Sequence, residues 1–190
     1  WAWGYEDQLP SEADRQVLAQ SAAALLGVSV PDASAPPSLS DLKLPPPRLP
    51  PPAALSALAR VDDHERALHT YGKSFVDQLR AWALDFASPP DMVLLPRSEA
   101  DVVLALRVCR DAGIVVVPFG GGTSVVGGVE CPLPAGARGV ASLDLRRLDR
   151  VLQVDPISRA ARIQAGATGP QIETLLEKLE QARQSLGGQV

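Results

Sequence analysis

The sequence predicts an α+β fold in which a βαβ unit is preceded by a small helical N-terminal region. Three observations carry this. Met92–Leu95 and Ile114–Val117 are short apolar runs, the second almost wholly β-branched, as in strands buried on both faces. Between them, Ser98 and Gly113 bracket an apolar-periodic stretch as the start and stop of a helix. Ahead of both, Ser11–Leu26 carries helical spacing and is followed by a segment in which proline forbids a helix.

In the first helix, Ser11 and Asp14 have the spacing of a capping box, and Val17, Leu18, Ala22, Leu25 and Leu26 recur at helical intervals. Half of the 18 prolines lie between Pro31 and Pro52, so residues 31–52 are expected to form an extended, polyproline-like connector, a spacer packed over the surface rather than a recognition motif. Ala53–Val61 and Asp63–Thr70 read as short helices, the second ending near Gly72. In the central helix Asp101 stands at the third position after the Ser98 cap, with Val102, Val103, Leu106, Val108 and Cys109 as its apolar residues. Strand, helix and strand in about 30 residues imply parallel strands and a right-handed crossover. Val140–Leu145, Arg150–Val154 and Ala160–Gln164 are further strand candidates, the last two forming a hairpin across Asp155–Ser158. Thr168-Gly169-Pro170 opens a final helix with Ile172, Leu175, Leu176 and Leu179 as its buried stripe.

Composition narrows the function classes. The chain has 190 residues, 18 Lys+Arg against 22 Asp+Glu, and a formal net charge of −4, which argues against a nucleic-acid binder. No apolar run reaches the length of a membrane span. Cys109 and Cys131 make neither a disulfide framework nor a zinc motif. The chain starts at Trp1, and Ser185–Val190 reads as an element cut short, so a piece of a longer protein is expected.

The most informative stretch is Pro118–Glu130, PFGGGTSVVGGVE, with five glycines in thirteen residues. It comes directly after a buried strand, and ligands in α/β folds bind at strand carboxyl ends. Glycine permits positive φ and close approach of backbone to ligand. Successive amides in such a turn form a nest for an anion, and Thr123 and Ser124 add hydroxyls. No lysine follows Gly127 or Gly128, as a P-loop requires. A GxGxxG fingerprint starting at Gly120 fails at Val125, and a GxSxG elbow around Ser124 fails at Val126. On composition alone the loop is either an anion nest or a tight connection.

PFGGGTSVVGGVE resembles the pyrophosphate loop of FAD-binding domains of the vanillyl-alcohol oxidase type, also called PCMH-type. PDMVLLPRSEADVVLALRVCRDAGIVVVPFGGGTS is similar to that family's strand, helix, strand and loop. SLDLRRLDRVLQVDPISRAARIQAGATGPQIETLLE is similar to the family's next strands and helix. WAWGYED, YGKS at Tyr71–Ser74 and SVVGGVE resemble the alkyldihydroxyacetonephosphate synthase branch.

The resemblance implies a helical N-terminal region, 1–87, and the first part of a PCMH-type FAD-binding domain, 88–190, truncated at its C-terminus. It implies that Pro118, Phe119, Gly120, Gly121, Gly122, Thr123 and Ser124 hold the FAD pyrophosphate, with Val125–Gly128 continuing toward the flavin. Some members attach FAD through a histidine in this loop; Thr123 and Ser124 stand here, so FAD is expected to be non-covalent. Gly121 is expected at positive φ and in close approach to FAD. The branch's catalytic residues lie beyond residue 190, so no catalytic residue and no metal ligand is expected here.

Implied partners are FAD and, in the complete flavoenzyme, a small-molecule or lipid substrate, with a homodimer as the candidate assembly. The location implied is cytoplasmic for a bacterial protein and peroxisomal for a eukaryotic one. The alternatives are an FAD-linked oxidase or dehydrogenase of a 2-hydroxy acid, and a truncated module that has lost FAD binding. The closing ARQSLGGQV resembles either the family's next strand or a later LGG segment.

His64 and His69 sit about 140° apart on a helix and do not share a face as metal ligands do. Cys109 reads as core, and nothing marks Cys131 as activated. Trp1, Trp3 and Trp82 read as packing residues. Tyr71 and Lys73 are expected to dock the N-terminal region onto the FAD domain rather than to catalyse.

Overall fold

The computed structural model describes residues 10–29, 37–155 and 157–185. WAWGYED with Trp1 and Trp3, the start of the connector through Pro36, Pro156 and the segment 186–190 lie outside the described residues. The sheet has four strands, β1 (Ala59–Arg60), β2 (Met92–Leu94), β3 (Ile114–Phe119) and β4 (Gly139–Asp144), in the order β1-β2-β4-β3. β4 pairs in parallel with β2 on one side and β3 on the other, and β1 adds an antiparallel edge. The expected βαβ unit is present but split. Helix α4 (Glu99–Asp111) connects β2 to β3, and β4 enters the gap between them. This central place explains why all of β2 and all six residues of β4 are buried.

α4 begins and ends where its sequence signals lie. The Ser98 side chain accepts from the Asp101 amide, and Gly113 turns the chain at φ +68°. Its buried side differs from expectation. Ala105 and Cys109 are buried and Val102, Val108 and Ala112 pack beside them, whereas Val103 and Leu106 face outward. A small residue, Ala105, lets the helix lie close on the sheet. The core joins these to Leu55, Leu58, Met92, Leu94, Ile114, Ala141 and Leu143.

The helix expected over Ala53–Val61 is not there. A 3-10 turn at Ala53–Leu55 buries Leu55, and β1 then pairs with β2. The segment's helical propensity loses to sheet pairing and to burial of Leu55 and Leu58, because propensity is weak beside tertiary context. Helices α2 (Asp63–Leu68) and α3 (Phe75–Trp82) come next. Trp82 is 46% exposed, contrary to its expected packing role. Helix α1 (Glu12–Leu26) has the expected Ser11–Asp14 capping box, but none of its residues is buried.

The described part of the proline-rich connector, from residue 37, inserts polar anchors into the domain. The Pro45 carbonyl accepts from the Arg66 guanidinium at 2.8 Å. Arg48 gives both its amide and its Nε to Asp91 Oδ1, at 2.7 and 2.8 Å. The other Asp91 oxygen accepts from the Val140 amide at 2.7 Å. Beyond β4, β5 (Val151–Asp155) and β6 (Ala160–Ile163) form the expected hairpin. The Asp155 carboxylate accepts from the Ile157 and Ser158 amides and the Ser158 hydroxyl. Helix α5 (Gly169–Ser185) closes the chain, with Leu176 and Leu179 of its apolar stripe exposed. Among the described residues no helix is long and apolar enough to cross a membrane.

Asp91 is the buried anchor between connector and sheet, so Asp91→Ala strands the Arg48 and Val140 amides. Hydrogen bonds to a charged group contribute about 1.5–3 kcal/mol, and Asp91→Ala should lower unfolding stability by at least that in urea titration. A midpoint unchanged from the parent chain would show that the connector is not fixed through this carboxylate.

Candidate functional site

The β3–β4 register ends with Phe119 opposite Asp144. Parallel strands finish on the same side, so the glycine loop and the segment after β4 emerge together at the sheet's carboxyl edge. Pro118 and Phe119 are the last two residues of β3, Pro118 exposed and Phe119 buried. Gly120, Gly121, Gly122, Thr123 and Ser124 form the loop proper. Among the described residues, none of their five amides donates to another group of the chain. Gly120, Gly121 and Thr123 are exposed. Consecutive free amides at a strand end are donors awaiting an acceptor.

The glycines are not equivalent. Gly122 has φ +66°, and a Cβ there would lie 2.4 Å from Phe119 Cζ. The Phe119 ring thus folds beneath the loop and only glycine fits above it. Gly127 is the second positive-φ position, at +74°. Gly121, expected at positive φ, is not there; its Cβ would meet nothing nearer than Thr123 Cγ2 at 3.7 Å. The strained turn belongs to Gly122 because that residue must clear the ring. At Gly120 and Gly121 a Cβ would make only ordinary contacts, at 4.0 Å from the Ala165 carbonyl oxygen and 3.7 Å from Thr123 Cγ2.

Ser124 is the loop's internal brace. Its hydroxyl accepts from the Gly128 amide at 2.9 Å and the Val126 amide at 3.4 Å. Val125 and Val126 stand exposed at the tip. The second segment at this edge, Ala165–Gly166, returns beside the end of β4. A Cβ on Gly166 would fall 1.8 Å from the Leu145 carbonyl oxygen, and the Ala165 carbonyl faces Gly120.

Beneath the loop lies a buried polar cluster that no sequence signal announced. His69, at the end of α2, is fully buried. Its Nε2 is 2.7 Å from Asp144 Oδ2 and its Nδ1 is 2.7 Å from the Glu65 carbonyl. Its ring packs on Phe119 with centroids 4.2 Å apart. Arg146 reaches Asp144, Glu65 and His69 Nε2. Burial pushes the Asp144 carboxyl up, but hydrogen bonds from His69 and Arg146 and the Arg146 charge outweigh it and hold the group below its ordinary value.

Among the described residues no group of three or more His, Cys, Asp or Glu is placed to hold a metal ion. Cys109 is buried in the core as expected. Burial drives the Cys131 thiol up to about 12, so it is not a nucleophile. The Tyr71 hydroxyl accepts from the Ala87 amide and its ring stacks on Phe86, while the Lys73 amide donates to the Ser124 carbonyl. Lys73 thus reaches the glycine loop, as its place beside Gly72 implied, whereas the Tyr71 contacts with Ala87, Phe86 and Arg80 all stay within residues 1–87. Burial lowers the Lys73 ammonium, with Asp77 countering.

Residues 90–186 match the family described as FAD binding domain. The chain belongs to this family. The chain is 40% identical over 120 residues to alkyldihydroxyacetonephosphate synthase of Trypanosoma brucei brucei, covering 63% of this chain and 19% of the relative. A solved structure of alkyldihydroxyacetonephosphate synthase superposes with a TM-score of 0.70 at 29% identity, over 77% of this chain and 29% of that one. Similarity to a probable mitochondrial D-lactate dehydrogenase of Danio rerio is weaker, 27% over 46% of this chain and 17% of the relative. The chain spans about a fifth of the length of the first curated relative. The α+β fold and the likeness to that synthase agree with what the sequence implied.

Because its folded value is depressed, Asp144 stabilises the FAD-binding domain above the ordinary carboxyl value of 3.8, and that contribution is lost as pH falls through the lower folded value. Urea unfolding across this acid range should show stability falling with pH more steeply in the parent chain than in Asp144→Asn. Identical slopes would mean that the cluster carries no ionisation linkage.

Proposed function

We propose that Pro118–Ser124 cradle the pyrophosphate of FAD and that FAD is held without a covalent bond. The observation that carries this is the run of five unbonded amides at the carboxyl end of a parallel strand, in a loop free of acidic residues from Pro118 to Val129. The residues fit the group. Phosphate oxygens need several donors at once, and the amides of Gly120–Ser124 with the exposed Thr123 hydroxyl provide them. The open sides of Gly120 and Gly121 let an anion approach the backbone. The loop holds no histidine, cysteine or tyrosine to form a link to the flavin.

FAD would supply the flavin chemistry of the complete enzyme, and this chain's residues bind and orient its pyrophosphate. In the complete protein we read the activity as alkyldihydroxyacetonephosphate synthesis, the name its relatives carry, which for the branch the sequence resembles implies exchange of the acyl group of acyl-dihydroxyacetone phosphate for a fatty alcohol. The stronger identity to those relatives supports this over oxidation of a 2-hydroxy acid. Residues 1–87 would then precede an FAD domain that starts near residue 88, with catalytic groups, substrate pocket and any homodimer contact supplied by the rest of the protein.

Isothermal titration of the chain with FAD is expected to give micromolar or weaker binding, because a typical pocket encloses most of its ligand and this loop reaches one part of a long cofactor. Gly121→Val fills the open side of the loop and should weaken binding at least tenfold, about 1.4 kcal/mol. A Gly121→Val chain that holds FAD as tightly as the parent would remove the loop from the binding site.

A further inference from the structure

The glycine loop does not hold its own shape. Its brace residue Ser124 is engaged from outside the matched family region, by the stretch that leaves α2. The Lys73 amide donates to the Ser124 carbonyl at 2.7 Å. Gly72 lies flat against the same peptide: a Cβ on it would fall 2.0 Å from the Ser124 carbonyl oxygen and 2.9 Å from its carbonyl carbon. Those are backbone atoms, so a side chain at residue 72 can be accommodated only by shifting the loop and the 72–73 backbone relative to each other. Gly72 has no positive φ, so its glycine is required by contact and not by backbone conformation.

The same stretch holds the loop's other end. The His69 ring packs on Phe119, and Phe119 in turn fills the space under Gly122. The His69 carbonyl faces the Cys131 thiol at 3.8 Å, where the chain leaves the loop region. Asp77, which caps α3, is buried and lies behind Gly72. Residues 69–73 therefore touch the loop at its entry, its brace and its exit.

We propose that His69–Lys73 is a clamp that sets the geometry of the pyrophosphate loop, with Gly72 as a positioning residue for FAD. This rests on the reading of Pro118–Ser124 as the pyrophosphate site. Gly72 touches no ligand. It fixes the Ser124 peptide, and through it the direction of the amides that precede it.

The test compares FAD with riboflavin, which lacks the pyrophosphate, on the 190-residue chain and its variants. Gly72→Ala should weaken FAD binding at least tenfold while shifting riboflavin binding less than twofold and keeping a cooperative thermal transition. Gly136→Ala is the control: unlike Gly72, that glycine has positive φ, +82°, and nothing lies within 4 Å of its Cβ, so the variant strains the backbone without a clash against the loop; it should leave FAD affinity unchanged. If the parent chain binds FAD no better than riboflavin, the pyrophosphate reading itself fails and the clamp with it. If the parent prefers FAD and Gly72→Ala matches it within twofold, the clamp alone is overturned.

Hydrogen exchange on the unaltered chain decides the matter should Gly72→Ala unfold. Coupling is reciprocal, so FAD must slow exchange at the Lys73 amide as well as in residues 120–128. Protection confined to the loop would overturn the clamp.

Discussion

The parallel pairing of β3 with β4 fixes where everything else in the site can stand. Six residue pairs in register, from Ile114–Gly139 to Phe119–Asp144, bring two chain segments to the same edge at the same height. One segment leaves as the glycine loop. The other leaves through Asp144 and Arg146. A carboxylate buried at that point needs partners, since an unpaired charge in a protein interior is strongly unfavourable. His69 and Arg146 are those partners. The end of α2 is thereby drawn under the loop, and the aromatic face of Phe119 is closed by the same imidazole. A one-residue slip in the pairing would separate Asp144 from His69 and tilt Phe119 away from Gly122.

The N-terminal region is attached by directed polar contacts as well as by the burial of Leu55 and Leu58 in the core. Arg66 is almost fully buried and reaches the carbonyls of Pro90 and Pro45, together with Asp63. Arg48 closes on Asp91 and His69 on Asp144. By contrast α1 buries no residue, and α3 leaves Phe75, Val76 and Leu79 exposed. Apolar burial is non-directional and would tolerate sliding of this region over the sheet. Hydrogen bonds of fixed geometry do not. The arrangement holds residues 66–73 at one position, and a loop built largely of glycine depends on such an external frame because it has few side chains with which to build its own.

Local signals were legible in the sequence and long-range ones were not. The Ser11 and Ser98 caps, the Gly113 stop and the Asp155 turn each involve residues within a few positions, so their chemistry can be read directly. The same kind of signal at Ser74–Asp77 would have revealed α3. Insertion of β4 between β2 and β3 is invisible to periodicity, because a buried strand has the same pattern beside either neighbour. Ala53–Val61 has helical composition, yet Leu58 and Ala59 serve the sheet, with the Leu58 carbonyl accepting from the Leu95 amide. His69 and Asp144 are 75 residues apart. Nothing in either one's neighbours announces the pair, and histidine spacing alone could exclude a metal site but not suggest a carboxylate partner.

The glycines show how a motif can be recognised while its mechanics stay hidden. In the sequence, the glycines from Gly120 to Gly128 look alike. In the fold they divide by what a Cβ would meet. Gly122 clears an aromatic ring at positive φ, Gly127 turns the chain, a Cβ on Gly128 would sit 3.2 Å from the Ser124 hydroxyl, and one on Gly120 or Gly121 would make only ordinary contacts. Two further glycines, Gly72 and Gly166, lie so close to neighbouring backbone that an added Cβ would fall 2.0 and 1.8 Å from a carbonyl oxygen, yet neither lies in the glycine-rich stretch. A motif records where backbone must be bare toward a ligand. It does not record where neighbouring backbone must be bare toward the motif, and those positions, scattered through the chain, determine whether the exposed amides converge. The loop's geometry is thus a property of the sheet edge, the end of α2 and the return at Gly166 together, and the glycine-rich stretch is only the part that faces outward.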